Sequence, residues 1–77
     1  MARTPLVIVN PAAGGGRAGR AVDWLAARGA EVRITSRPGE AEELAAHSGD
    51  DRRVIAVGGD GTVQEVVNGL LASAAPN

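Results

Sequence analysis

The chain has 77 residues, a formal net charge of -1, a single Trp, and no Phe, Tyr, Lys or Cys. This length permits one small domain, and the near-neutral charge argues against a nucleic-acid partner. The absence of Cys excludes disulfides and Cys-based zinc sites. The apolar run near the amino terminus is too short for a signal peptide or a membrane span, so we expect a cytoplasmic protein.

Apolar runs in the chain alternate with stretches of helical spacing. The runs predict three short strands, at Leu6–Val9, Val32–Ile34 and Val54–Val57. A helix is predicted after each strand, and Gly29 and Gly49 follow the first two helices as stop signals. The third helix has the longest apolar stripe, formed by Val63, Val66, Val67, Leu70 and Leu71. The βαβαβα order predicts an α/β fold in three layers, with a parallel sheet and right-handed crossovers.

The loop after the first predicted strand, "NPAAGGGRAGR", contains the pattern G-x-G-x-x-G at Gly14, Gly16 and Gly19. A dinucleotide site also needs an acidic residue after the second strand, where this chain has Thr35 and Ser36. That difference disfavours NAD as a bound cofactor. A P-loop requires a Lys, so the sequence excludes one.

A more general phosphate site remains open for this loop. Gly14–Gly16 can expose successive backbone N–H groups, and Arg17 and Arg20 can add positive charge. The alternative is a flexible turn followed by two solvated arginines.

The loop after the third predicted strand, "VGGDGTVQEVVNGLL", gives the stronger signal. Asp60 lies between glycines at the predicted carboxyl edge of the sheet, where ligands of such folds bind. Thr62 and Glu65 have the spacing of a capping box, which would start the third helix at this point. A helix start presents N–H groups and the positive end of the helix dipole to phosphate.

Four features follow one another along the chain: "NPAAGGG", Thr35, "GGDGT" and "EVVNGL". Through them the chain resembles the diacylglycerol kinase catalytic family, which includes bacterial lipid kinases, sphingosine kinases and ceramide kinases. The resemblance covers the whole chain in order, and "GGDGT" followed by "EVVNGL" is its most specific part. It implies an incomplete nucleotide-binding domain of the NAD kinase and diacylglycerol kinase type. It further implies an enzyme that uses ATP and Mg2+ to phosphorylate a lipid hydroxyl.

The resemblance also implies roles for individual residues. The first loop would line the phosphate side of ATP, Thr35 would contact the nucleotide, and the third loop would wrap the phosphates. Asp60 would be the residue required for catalysis, and the metal ligands stay unknown. The implied nucleotide contacts are Asn10, Pro11, Ala12, Ala13, Gly14, Arg17, Thr35, Gly58, Gly59, Asp60, Gly61, Thr62, Val63, Gln64 and Glu65.

This chain departs from the family pattern at two positions and in length. Family members often have Ser at the position of Ala13 and Asn at that of Gln64. They also have a second, strand-rich domain that binds the lipid, so we expect residues 1–77 to be the amino-terminal part of the ATP-binding domain. Alone, this part should bind nucleotide weakly and show no turnover. In the complete protein the resemblance allows peripheral membrane contact and a homodimer.

Two other functions stay open at this point. NAD kinases and phosphofructokinase-like enzymes share the "GGDGT" loop, although the Asn-Pro start and "NGL" favour the lipid kinases. The chain could also be a non-catalytic nucleotide-binding module, or a fragment whose glycines serve only packing.

Overall fold

The computed structural model describes residues 4–11, 17–48 and 52–74. Its elements alternate along the chain in the predicted βαβαβα order. The strands are β1 (Leu6–Val9), β2 (Glu31–Ile34) and β3 (Val54–Val57), and the helices are α1 (Arg17–Ala27), α2 (Glu40–Ala46) and α3 (Asp60–Ala74). The predicted α/β fold is therefore confirmed, with β2 one residue longer than expected. Gly49 and residues 12–16 lie outside the described residues.

The three strands form a parallel sheet in the order β2-β1-β3. The register pairs Val9 with both Ile34 and Val57, so the three carboxyl ends lie level with one another. The chain leaves β1 first towards β2 and then crosses back to β3. Right-handed crossovers therefore place α1 on one face of the sheet and α2 on the other.

The core lies between the sheet and the α2–α3 layer. Leu6 and Ile8 of β1 pack there with Ala41 and Ala45 of α2 and Val66 of α3. Because side chains alternate along a strand, Val7 and Val9 point to the face that α1 covers, and both are buried. Among the strands that the structure describes, β1 is the one buried on both faces along its whole length. The flanking strands β2 and β3 are partly exposed, because each has a neighbour on one side only among the described residues.

The apolar stripe of α3 is not the face that packs. Only Val66 of the stripe is fully buried, whereas Val63, Val67, Leu70 and Leu71 are between 37% and 64% exposed. The buried positions are instead Thr62, Val66 and Gly69, which recur at helical spacing. The reason is the close packing of α3 against α2. A Cβ atom at Gly69 would collide with the Glu42 carbonyl oxygen and lie 2.8 Å from Ala45 Cβ.

None of the helices in the described ranges has the length and apolar character needed to cross a bilayer.

We expect Gly69→Ala to destabilise the protein by about 1–3 kcal/mol, because the added methyl group overpacks the α2–α3 contact. Urea unfolding followed by circular dichroism measures the change. The matched control is Gly19→Ala in α1, where an added Cβ meets no atom within 4 Å. That variant should gain about 0.5–1 kcal/mol through helix propensity. Equal stability of the two variants would contradict the assigned helix contact.

Candidate nucleotide site

Backbone hydrogen bonds join the carboxyl ends of the three strands. The Thr35 N–H donates to the Val9 carbonyl at 2.8 Å, and the Asn10 N–H donates to the Val57 carbonyl at 2.9 Å. The Thr35 hydroxyl also donates to the Val9 carbonyl, at 3.1 Å, and Thr35 is buried. These bonds bring the loops after β1, β2 and β3 to one edge of the sheet.

A cavity of about 470 Å³ opens at this edge. Its volume is within the range of small-molecule sites in proteins. Residues from all three loops line it, together with Ala41 of α2 and residues from the first turns of α3. The described lining comprises Asn10, Pro11, Thr35, Ser36, Arg37, Pro38, Ala41, Gly59, Gly61, Thr62 and Glu65.

About half of the residues predicted for the nucleotide site line the cavity. Seven of them line it: Asn10, Pro11, Thr35, Gly59, Gly61, Thr62 and Glu65. Gly58, Asp60, Val63 and Gln64 belong to the same turn and to the start of α3, but they are not in the lining. Ala12, Ala13, Gly14 and the side chain of Arg17 lie outside what the structure describes.

The start of α3 differs from the predicted capping box. The helix begins at Asp60, so Thr62 is its third residue and the prediction of Thr62 as the N-cap is wrong. The Thr62 and Val63 N–H groups both donate to the Gly59 carbonyl, at 3.1 and 3.2 Å. The Thr62 side chain lies against Gly58, where an added Cβ would be 2.6 Å from the Thr62 Oγ1. Glycine at position 58 therefore lets the helix start directly at the end of β3.

This helix start has the properties of an anion site. The first N–H groups of a helix lack intrahelical partners, and its dipole places partial positive charge there. The N–H groups of Gly59, Asp60 and Gly61 have no hydrogen-bond partner among the described residues. Two of these residues line the cavity, so the turn can present backbone donors to a phosphate group held in it.

The Asp60 side chain is exposed in the first turn of α3, where a negative charge also stabilises the helix dipole. Glu65 lies one turn further on, is half-buried and lines the cavity. No group of three or more acidic or histidine side chains suited to a metal ion occurs among residues 4–11, 17–48 and 52–74. A nucleotide-bound Mg2+ needs only one or two protein carboxylates, and of these two residues Glu65 is the one that lines the cavity.

The β2–α2 loop and the first turn of α2 supply the lining residues that the sequence analysis missed, namely Ser36, Arg37 and Pro38 of the loop and Ala41 of the helix. Glu40 fixes the loop, because its carboxylate accepts hydrogen bonds from the Ser36 N–H at 2.6 Å and from the Ser36 hydroxyl at 3.3 Å. The bond from the Ser36 backbone is the main reason why the pKa of Glu40 is lowered. The spacing of Ser36 and Glu40 was visible in the sequence, but the cavity that Ser36 lines was not.

Arg37 is the positively charged side chain in the described lining. It forms an ion pair with Glu43 of α2 at 2.8 Å, and this hydrogen bond raises the pKa of the Arg37 guanidinium. Arg37 therefore carries a full charge at the rim of the cavity.

A second cavity, of about 380 Å³, lies beside β2 and α2. None of the predicted site residues lines it. Its charged groups include an ion pair between Arg52 and Glu31, and Arg33 lies 3.7 Å from the same carboxylate. The cavity at the strand ends is therefore the candidate functional site.

Comparison with known proteins identifies the family. A family model described as the diacylglycerol kinase catalytic domain matches residues 4–77. The chain belongs to this family. The suspected membership is thus confirmed, and the chain is a kinase-type domain with the fold of an incomplete nucleotide-binding domain.

The chain is also similar to a curated protein named NAD kinase, from Nitratidesulfovibrio vulgaris (strain DSM 19637 / Miyazaki F). The two are 40% identical over 53 residues, which is 69% of this chain and 19% of the relative. The chain thus spans about a fifth of the length of the curated relative that it matches. No solved structure matches the chain significantly.

We expect Glu40→Gln to remove a pH-dependent constraint on the β2–α2 loop. A lowered pKa means that the Ser36–Glu40 bond stabilises the folded protein above the ordinary pKa of a glutamate. This stabilisation is lost as the pH falls through the lowered value. The Ser36 amide resonance, followed by NMR from neutral to acid pH, should therefore titrate with a midpoint below that ordinary value. It should lose this titration in Glu40→Gln.

The matched control is Glu42→Gln, on the same helix turn but without a bond to Ser36. The Ser36 amide should titrate in this variant as in the unmodified protein. A midpoint at or above the ordinary glutamate value would contradict the assigned hydrogen bond.

Proposed function

We propose that this chain is the nucleotide-binding part of an ATP-dependent lipid kinase. The observation that supports this most is the cavity at the strand ends. There the start of α3, where the Gly59 and Gly61 N–H groups have no partner among residues 4–11, 17–48 and 52–74, meets the loops that follow β1 and β2. Membership of the diacylglycerol kinase catalytic domain family favours a lipid hydroxyl as the phosphate acceptor.

In the proposed reaction, the acceptor hydroxyl oxygen forms a bond to the γ-phosphorus of ATP. The bond between that phosphorus and the β,γ-bridging oxygen breaks, ADP leaves, and the hydroxyl proton passes to a base. Such reactions depend on positioning and on neutralising phosphate charge. The turn Gly58–Thr62 would hold the phosphates through its backbone, supported by Asn10, Pro11 and Thr35 at the neighbouring strand ends. Mg2+ bound with ATP would neutralise further phosphate charge.

Asp60 is our candidate catalytic residue, since it lies in the first turn of α3 beside the proposed phosphates. Gly58, Val63, Gln64 and Glu65 complete the contacts proposed on this turn. Ala12, Ala13, Gly14 and Arg17 are proposed to close the phosphate side from the first loop. The second, lipid-binding domain, a cytoplasmic location and peripheral membrane contact remain part of this proposal for the whole protein.

A second candidate acceptor is NAD, because the curated relative is a protein named NAD kinase. The two candidates share the phosphate donor and differ in the acceptor. Assays of the full-length protein with radiolabelled ATP, using diacylglycerol in detergent micelles and NAD in parallel, separate them. Phosphorylated lipid without phosphorylated NAD is expected, and the reverse result would replace the lipid kinase by the NAD kinase. If neither product formed, the proposed kinase activity would be contradicted.

We expect Asp60→Asn in the full-length protein to lower kcat at least about 100-fold while leaving the fold intact. The reason is that in the proposed site its carboxylate would act on the metal–phosphate group, where the loss of one preorganised electrostatic contact costs about this much. The control is Asp23→Asn, because Asp23 is an exposed aspartate on α1 outside the cavity lining. Activity of Asp60→Asn within a few-fold of the unmodified enzyme would reject the catalytic role.

We expect Gly61→Ala to weaken ATP binding about tenfold or more without lowering stability. An added Cβ at Gly61 meets no protein atom within 4 Å, so the fold accommodates it, but Gly61 lines the cavity and the methyl group would occupy ligand space. Isothermal titration calorimetry with ATP and Mg2+ measures the affinity. The control is Gly19→Ala, which is equally free of contacts but lies in α1. Unchanged affinity of Gly61→Ala would show that phosphate does not approach this turn.

A further inference from the structure

Arg37 is a charged lining residue that the proposed phosphate contacts leave without a role. It lies in the loop between β2 and α2, whereas the phosphate-binding turn follows β3. The charged side chains of the described lining are Arg37 and Glu65. A guanidinium in a ligand cavity is a strong donor with a flat face, so its position within the cavity decides what it can contact.

The strand order fixes that position. Because β1 lies between β2 and β3, the loops after β2 and β3 flank the cavity from opposite sides. Neighbouring strands are about 4.8 Å apart, so these loops start about 10 Å from each other. If the phosphates of a nucleotide lie on the start of α3, its nucleoside extends across the end of β1 towards the β2–α2 loop. This step rests on the proposed function.

The loop that carries Arg37 is held in place on both sides. Thr35 is bonded to Val9, and Ser36 is bonded to Glu40. Gly39, with φ 87°, then turns the chain into α2. The backbone of Arg37 is therefore fixed at the cavity, while its side chain is 56% exposed and can move.

The current partner of Arg37 does not prevent such a movement. Glu43 is also largely exposed, and exposed ion pairs contribute little to stability. The guanidinium can therefore leave Glu43 at little cost when a ligand offers a better contact. A purine ring offers such a contact, because guanidinium groups stack on aromatic faces.

We propose that Arg37 is a binding residue for the nucleoside half of the nucleotide, with its guanidinium packed on the purine base. In the ligand-free protein Glu43 holds the side chain at the rim of the cavity. When the nucleotide binds, Arg37 exchanges this ion pair for the face of the base. The phosphates bind at the other end of the cavity, without Arg37.

The test compares two ligands that share the phosphates. ATP and inorganic tripolyphosphate, both with Mg2+, are titrated into the unmodified protein and into Arg37→Gln by calorimetry. We expect Arg37→Gln to weaken ATP binding about three- to tenfold and to leave tripolyphosphate binding unchanged. Arg33→Gln is the matched control, because the Arg33 side chain is also 56% exposed, pairs with a glutamate and lies outside this cavity. It should bind both ligands as the unmodified protein does.

A second variant separates the role of the side chain from that of the ion pair. Glu43→Gln removes the partner and keeps the guanidinium, so it should bind ATP at least as tightly as the unmodified protein. Unchanged ATP binding by Arg37→Gln overturns the inference, and so does an equal loss for both ligands, which would place Arg37 on the phosphates. Failure of the unmodified protein to bind either ligand would instead contradict the proposed function, so the two failures are distinguishable.

Discussion

The position of the candidate binding site depends on two backbone hydrogen bonds, from the Thr35 N–H to Val9 and from the Asn10 N–H to Val57. They hold the ends of β1, β2 and β3 level, so that three loops distant in sequence begin at one edge. A shift of one residue in either pairing would move one loop by about 3.3 Å along its strand. It would also turn the side chains of that strand to the opposite face of the sheet. Leu6 and Ile8 of β1 belong to the core against α2 and α3, so the core and the candidate site depend on the same register.

Small residues set the position of α3 relative to this edge. Gly58 lets the Thr62 side chain lie against the end of β3, and Gly69 lets the far part of the helix contact the backbone of α2. The two contacts lie on one side of α3 and are separated by two helical turns. Together they fix the direction of the helix axis, and therefore the direction of the N–H groups at its start. The glycines of the "GGDGT" and "NGL" segments thus have a packing role as well as the binding role that we propose for the turn.

The sequence was sufficient for the strands and for their order with the helices, because short branched apolar runs between turn residues leave few alternatives. It was insufficient for the packing face of α3. The apolar stripe of Val63, Val67, Leu70 and Leu71 is periodic, but the helix packs through Thr62, Val66 and Gly69. Hydrophobic periodicity ignores glycine and threonine, whereas close helix contacts favour small residues. The contribution of Ser36, Arg37 and Pro38 to the cavity was missed for another reason. It depends on which strand neighbours which, and the strand order was not part of the prediction.

The comparisons support a kinase-like domain but do not indicate which molecule accepts the phosphate. The family model is that of the diacylglycerol kinase catalytic domain, and a similar curated protein is named NAD kinase, so the names of these proteins indicate two acceptors of different chemistry. A segment common to both kinds of protein can supply a helix start and neighbouring strand ends. Backbone N–H groups at such a helix start recognise phosphate whatever the acceptor is. In this chain we therefore expect the turn Gly58–Thr62 to tolerate the fewest amino-acid substitutions. The acceptor can differ without any change in the sheet that supports this turn.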